Sequence, residues 1–194
     1  MSKGLSQETI VNAAIELLNR EGIDNLTMRS LAVSLDTKAA SLYRHVKDKR
    51  ELYDLIAEKI VSGIKPSCSM GDAKKYLTEV AELYRKELLA VRDSVAICSQ
   101  SRAATPMRIE LMKNVIICLL HLGVKENKSL VAFHMFNNHI LSSVANEVMF
   151  RYIPKDAPNV YKTVLGTRFE YLTFDEQFNC GLEVLFTGIK VLSS

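Results

Sequence analysis

The sequence has no tryptophan, four prolines and four cysteines in 194 residues. So little proline leaves long segments free to be helical. The cysteines (Cys68, Cys98, Cys118, Cys180) lie far apart with no Cys-x-x-Cys pair. Neither a zinc module nor a disulfide framework is therefore indicated, and buried free thiols are the plain expectation. Long hydrophobic runs are missing as well. The longest, 115–124, is broken by His121 and falls far short of the roughly 20 residues a bilayer span needs. The first eight residues carry no apolar stretch of the kind a secretory leader requires, so a cytoplasmic chain with no membrane partner is expected. Charge of one sign is scarce too. A net charge of +3 is too mild for a protein that coats nucleic acid, and any use of positive charge must be local. Strand alternation and internal repeats are also absent.

What is present is helical periodicity over a chain that is 48% hydrophobic, enough for a packed core. The expected class is all-α. Ser6 is placed to cap a helix carrying Ile10, Ala14, Leu17 and Leu18 on one face, and Gly22 suits its C-terminal end. Thr27 opens a second helix, and 38–46 reads as a third. Asp48 with Glu51 three residues on is a capping-box pattern, starting a fourth helix through Leu52, Leu55, Ile56 and Ile60 to about Ile64. The stretch 65–71, with Pro66 and Gly71, interrupts every periodicity and is the clearest boundary. It divides a domain over 1–65 from a helical domain over 66–194. Beyond it, 72–91 carries Leu77, Val80, Ala81, Tyr84 and Leu88 in register. Thr105-Pro106 reads as an N-cap with proline at the first helical position, leading a helix that stops near Gly123. A long helix over 125–151 places Leu130, Phe133, Asn137, Leu141, Val144 and Val148 on one seam. The stretch 153–173 is loop-like, and Thr173 with Glu176 is a second capping box, opening a last helix to Leu192.

The second and third helices are the part around which the rest is organised. Leu31 and Leu35 are four apart, as are Leu42 and Val46, each pair a stripe for core packing. The turn between them holds Asp36, one of the few residue types that accept a left-handed backbone. Arg29, Lys38, Arg44, Lys47, Lys49 and Arg50 crowd this stretch against only Asp36 and Asp48. A helix-turn-helix with a positive outer face is suited to the DNA major groove.

The run 27–32 (Thr-Met-Arg-Ser-Leu-Ala), followed by 41–52 (Ser-Leu-Tyr-Arg-His-Val-Lys-Asp-Lys-Arg-Glu-Leu), resembles the DNA-binding domain of the TetR family of bacterial transcriptional regulators. The likeness spans about Ile10 to Ile60. The segment 88–93, Ser101-Arg102 and 178–183 are further similar to the C-terminal domain of the family's tetracycline-responsive members. The resemblance implies a third helix lying in the major groove, with Thr37, Lys38, Ala39, Ala40, Ser41 and Arg44 facing outward. Lys38 and Arg44 suit guanine O6/N7, and the alanine methyls suit thymine. Tyr43, His45 and Lys49 match phosphate-holding positions, Lys49 at a helix N-terminus, and Thr27 and Arg29 are candidate phosphate contacts. In the tetracycline-responsive members a drug–magnesium chelate is held through a histidine where this chain has Cys98. Another pocket histidine stands where it has Lys65. Tetracycline–magnesium is accordingly not the expected effector.

The resemblance also implies a homodimer on a palindromic operator, controlled by a small organic effector. Candidate pocket residues are Tyr84, Cys98, Ser101, Arg102, Asn114, Phe133, His134 and Asn137. Candidate dimer residues are Leu130, Asn137, Leu141, Gly181, Val184, Leu185 and Gly188, the two glycines seven apart on one helix face. The fourth helix, continuous from Lys49 to the boundary, is the expected lever between effector and DNA. A repressor with double-stranded DNA as partner, no cofactor and no metal is the leading expectation. The alternative is a metal-responsive regulator using Cys118 with His121 or His134 with His139, or a thiol sensor using Cys98. An enzyme would need a nucleophile, base and orienting group at suggestive spacing, and the four histidines offer none.

Overall fold

The computed structural model describes residues 5–102, 104–151 and 172–193. The described residues form helices and connecting turns, with no strand. The expected loop over 153–173 lies almost wholly outside them. By packing, the chain divides into two compact units, Met1–Cys118 and Leu119–Ser194.

The first unit begins with α1 (Gln7–Glu21), capped by Ser6, whose hydroxyl accepts the Thr9 N–H. Gly22 ends it at φ 85°, a left-handed backbone that costs glycine least. After a 3-10 turn at Ile23–Asn25, α2 (Met28–Ser34) opens on a reciprocal capping box between Thr27 and Ser30. Asp36 takes φ 47° at the corner, as its residue type allowed. The third helix, expected over 38–46, is regular only over α3 (Ala39–Leu42). Beyond it His45 and Val46 both donate to the Leu42 carbonyl, a tightening that swings Val46 into the core before Asp48 turns outward. Asp48 then caps α4 (Lys49–Ser62) at the Glu51 N–H, and Glu51 returns a bond to the Lys47 N–H. Ile10, Leu17, Leu18, Leu31, Leu42, Leu52 and Ile56 are fully buried, the joint core of α1 to α4.

The same unit continues with α5 (Ala73–Leu89), α6 (Ser94–Gln100) and the start of α7 (Pro106–His121). Helix α6 has no counterpart among the sequence expectations. Seven residues hold too few turns to show a period, and its N-cap, Asp93, is a second left-handed non-glycine at φ 56°. Helix α4 packs on α1, α5 and α6 alike, so packing divides the chain later than the 65/66 boundary that composition marks. The α5–α6 connection also grips the end of α1. The Asp93 carboxylate accepts the Ile23 N–H at 2.8 Å, and the Arg92 N–H donates to Asn19 Oδ1 at 2.8 Å.

In the second unit, a 3-10 turn at Glu126–Lys128 precedes α8 (Ser129–Arg151), so the single helix expected over 125–151 starts four residues later. Helix α9 (Phe174–Ser193) lies against α8 and opens on the expected Thr173–Glu176 capping box. The buried stripe of α8 is Ser129, Ala132, Phe136, Ile140, Val144 and Glu147. The expected seam shares only Val144 with it, and Leu130 is exposed. Polar and apolar residues are mixed around α8 with no clear stripe, so the sequence shows no periodic preference from which a buried face can be read.

Candidate nucleic-acid interface and effector site

The outer face of the helix-turn-helix is built from side chains that the core leaves free. With Leu31, Ala32, Leu42 and Val46 turned inward, Lys38, Ala40 and Arg44 are exposed, while Thr37, Ala39, Ser41 and His45 are half-buried. Tyr43 is 51% exposed, so core packing does not account for it. The His45 carbonyl accepts from Gln7 Nε2 at 3.3 Å, tying this face to α1. Arg29 is exposed, whereas the Thr27 hydroxyl is already engaged in capping α2. Lys49 stands in the first turn of α4 with Nζ 5.5 Å from the centre of the Tyr53 ring. Among the described residues Arg29, Lys38, Arg44, Lys47, Lys49 and Arg50 are ion-paired with no carboxylate. Asp48 and Glu51 are spent on backbone N–H groups. The result is a protruding short helix ringed by uncompensated cations, which is what a phosphate backbone attracts.

A second cluster forms between α4, α5, α6 and α7. The Tyr84 hydroxyl donates to Cys98 Sγ at 3.8 Å, and both side chains are buried. Burial pushes the Tyr84 phenol and the Cys98 thiol well up from their usual ranges, so both stay neutral. Ser101 Oγ donates to the Cys98 carbonyl at 2.8 Å and accepts from Arg108 Nη1 at 2.6 Å. Asn114 hydrogen-bonds Tyr76, whose phenol is also pushed up, chiefly by burial. Arg102 is held by α4: Asp54 accepts its backbone N–H at 2.6 Å and its Nε at 2.8 Å. That carboxylate raises the guanidinium pKa further still.

One turn along α4, Glu58 accepts the Met107 and Arg108 N–H groups at 2.9 and 3.4 Å. Glu58 thereby caps α7, the task expected of Thr105, whose buried hydroxyl makes no hydrogen bond. Sequence reasoning missed Asp54, Glu58 and Arg108. The one signal on offer was Arg108 itself, a cation in the first turn of a helix, where the dipole disfavours positive charge.

Phe133, His134 and Asn137 belong to the second unit. Phe133 and Asn137 are half-buried, and His134 is exposed with its ring centre 5.6 Å from that of Phe133. The candidate dimer residues lie on α8 and α9, which form an apolar groove of about 300 Å³ lined by Ala132, Met135, Phe136, Val184, Leu185 and Gly188 among others. Leu130, Met135, Val184 and Val191 are more than half exposed, and Asn137, Leu141, Gly181 and Leu185 are half-buried. The two glycines differ. A Cβ on Gly181 would stand 2.2 Å from the His139 ring, whereas one on Gly188 would meet nothing. Gly181 thus serves the chain's own packing, where His139 Nε2 reaches the Phe178 carbonyl at 2.9 Å.

The metal-responsive alternative is not supported. Among the described residues no three His, Cys, Asp or Glu side chains gather to hold an ion. Cys118 is buried while His121 is exposed, and His139 is bound to the Phe178 carbonyl. For a thiol sensor, the raised Cys98 pKa works against the reactive thiolate. No helix among the described residues is long and apolar enough to cross a membrane.

A helix-turn-helix head with a bare cationic face, followed by a helical region with a buried polar cluster, defines a DNA-binding regulator. The profile of bacterial regulatory proteins of the tetR family matches residues 10–56. The chain is 30% identical to the Escherichia coli tetracycline repressor protein class E, over 74% of this chain and 69% of that protein. It is 31% identical to a Saccharopolyspora erythraea HTH-type transcriptional regulator, of which it spans 63%. Among solved structures, Streptomyces coelicolor ActR in complex with (S)-DNPA is similar at a TM-score of 0.80 and 25% identity, over 97% of this chain and 98% of that one. A TetR variant from Acinetobacter baumannii AYE in complex with minocycline gives a TM-score of 0.76 at 27% identity, over 98% and 99%. The chain belongs to the TetR family of transcriptional regulators, which are DNA-binding proteins and not enzymes.

Proposed function

We propose that this protein is a repressor that binds a palindromic operator as a homodimer and is released by a small organic effector. The observation that carries the reading is the ring of unpaired cations around the exposed Lys38–Arg44 face. One head reads too few bases for useful specificity, and two heads about one helical turn apart supply the rest. The head, 1–65, contacts DNA, and 66–194 binds effector and pairs the chains. The uncovered apolar groove on α8 and α9 supports pairing there, because monomeric proteins rarely leave such a patch open.

Release follows from a population shift: the effector binds the DNA-incompetent arrangement more tightly than the other. Asp54 and Glu58 couple the two tasks, since the helix that begins at Lys49 also holds the segment bearing Ser101, Arg102 and Arg108. The ActR and Acinetobacter structures hold small organic molecules, which supports an organic effector for this chain.

The test is footprinting on the DNA flanking the gene. Two protected half-sites in an inverted repeat are expected, released by the small-molecule fraction of a cell extract. Absence of any retardation on that DNA overturns DNA regulation, and operator binding that the extract never relieves overturns the effector.

A further inference from the structure

We propose that Arg108 is the anion-binding corner of the effector site and that the effector is an organic acid, presenting a carboxylate to Arg108 with its apolar body toward Tyr84 and Cys98. This deepens the effector reading above and rests on it. Three observations converge. First, Arg108 is half-buried yet, among the described residues, pairs with no carboxylate. Glu58 bonds its backbone N–H and not its guanidinium. Arg102, in the same segment, shows the contrast, since Asp54 takes its Nε. Second, Arg108 is the third residue of α7, where the helix dipole disfavours a cation and the Met107 and Arg108 N–H groups already have Glu58 as their acceptor. Helix stability therefore gives no reason for an arginine there. Third, the guanidinium is aimed: Ser101 Oγ accepts from Nη1 at 2.6 Å, and the charge is felt at both Tyr84 and Cys98. Those two groups are buried and neutral, so they supply no counter-charge. Among the described residues one of the five guanidinium donors is used, and the remaining fork matches the planar, two-oxygen geometry of a carboxylate.

The test uses the full-length protein and matched probes: 2-naphthoate with 2-naphthamide, and biphenyl-4-carboxylate with its amide. Binding is read by calorimetry and by thermal shift. Each acid is expected to bind about tenfold or more tighter than its amide, the worth of a charge-assisted hydrogen bond. Arg108→Gln is expected to erase that preference and Arg108→Lys to keep part of it, with the fold of both variants checked by circular dichroism and thermal melting. Equal binding of acid and amide, a preference that survives Arg108→Gln, or no binding by any of the four probes overturns the organic-acid assignment. Operator release by the cell extract is read in parallel. If it persists while the acids fail, the effector reading stands and only the acid is wrong. If it is lost, the effector reading has failed with it.

Discussion

Arg44 and Lys49 illustrate how one charge type divides into two tasks. Arg44 is exposed just past α3 and Lys49 sits in the first turn of α4; on the proposed reading Arg44 reaches base edges and Lys49 holds phosphate beside free N–H groups. Arg44→Ala is expected to weaken operator binding by about 1–3 kcal/mol and to relax specificity at one position. Lys49→Gln is expected to weaken binding evenly across sequences and to reduce the slope of log K against log salt by about 1. Titration by fluorescence anisotropy at several salt concentrations separates the two, and equal sequence dependence for both variants would remove the distinction.

Glu79 makes a different residue-scale argument. Its carboxylate accepts the Ser67 and Cys68 N–H groups, and the Ser67 bond in particular holds its pKa below the usual range. A depressed carboxylate adds stability above its unfolded pKa and loses it as pH falls through the lower folded value. Thermal melts should show a shallower acid limb for Glu79→Gln than for the parent.

At the scale of elements, α8 and α9 show how a glycine and a histidine settle one contact. His139 stacks on Phe178 with ring centres 5.1 Å apart and reaches the Phe178 carbonyl, which needs α9 close at Gly181. Gly181→Ala forces the His139 ring out, and an overpacking cost of about 1–3 kcal/mol is expected in urea unfolding. The gain in helix propensity, about 1 kcal/mol, offsets only part of it. Gly188→Ala meets no atom and should leave the unfolding of the isolated chain unharmed, so its effect reports on pairing. Helix starts were legible from residues because each is decided within four positions: Ser6, Thr27, Asp48 and Thr173 all serve the helix they precede. The cap of α7 was not. Its acceptor is Glu58, 49 residues away from Met107, and no local pattern announces it.

For the molecule as a whole, the open question is what covers the groove on α8 and α9. Val184 is 67% exposed in the single chain, so Val184→Asp should fold normally as a monomer while placing a buried charge in a paired one. Light scattering is expected to show the parent as a dimer and the variant as a monomer, with operator affinity falling in step. A dimer that persists with Val184→Asp would move the pairing surface elsewhere.

The residues alone determined the class, the helix-turn-helix and its cationic face, because periodicity, caps and a left-handed corner at Asp36 act over a few neighbours. They did not determine which face of α8 is buried, since polar and apolar residues are mixed around that helix and only its partner chooses. Nor did they reveal that α4 is tied to the segment before α7. Asp54 and Arg102 are 48 positions apart, and a bond across that distance exists only once both helices have packed.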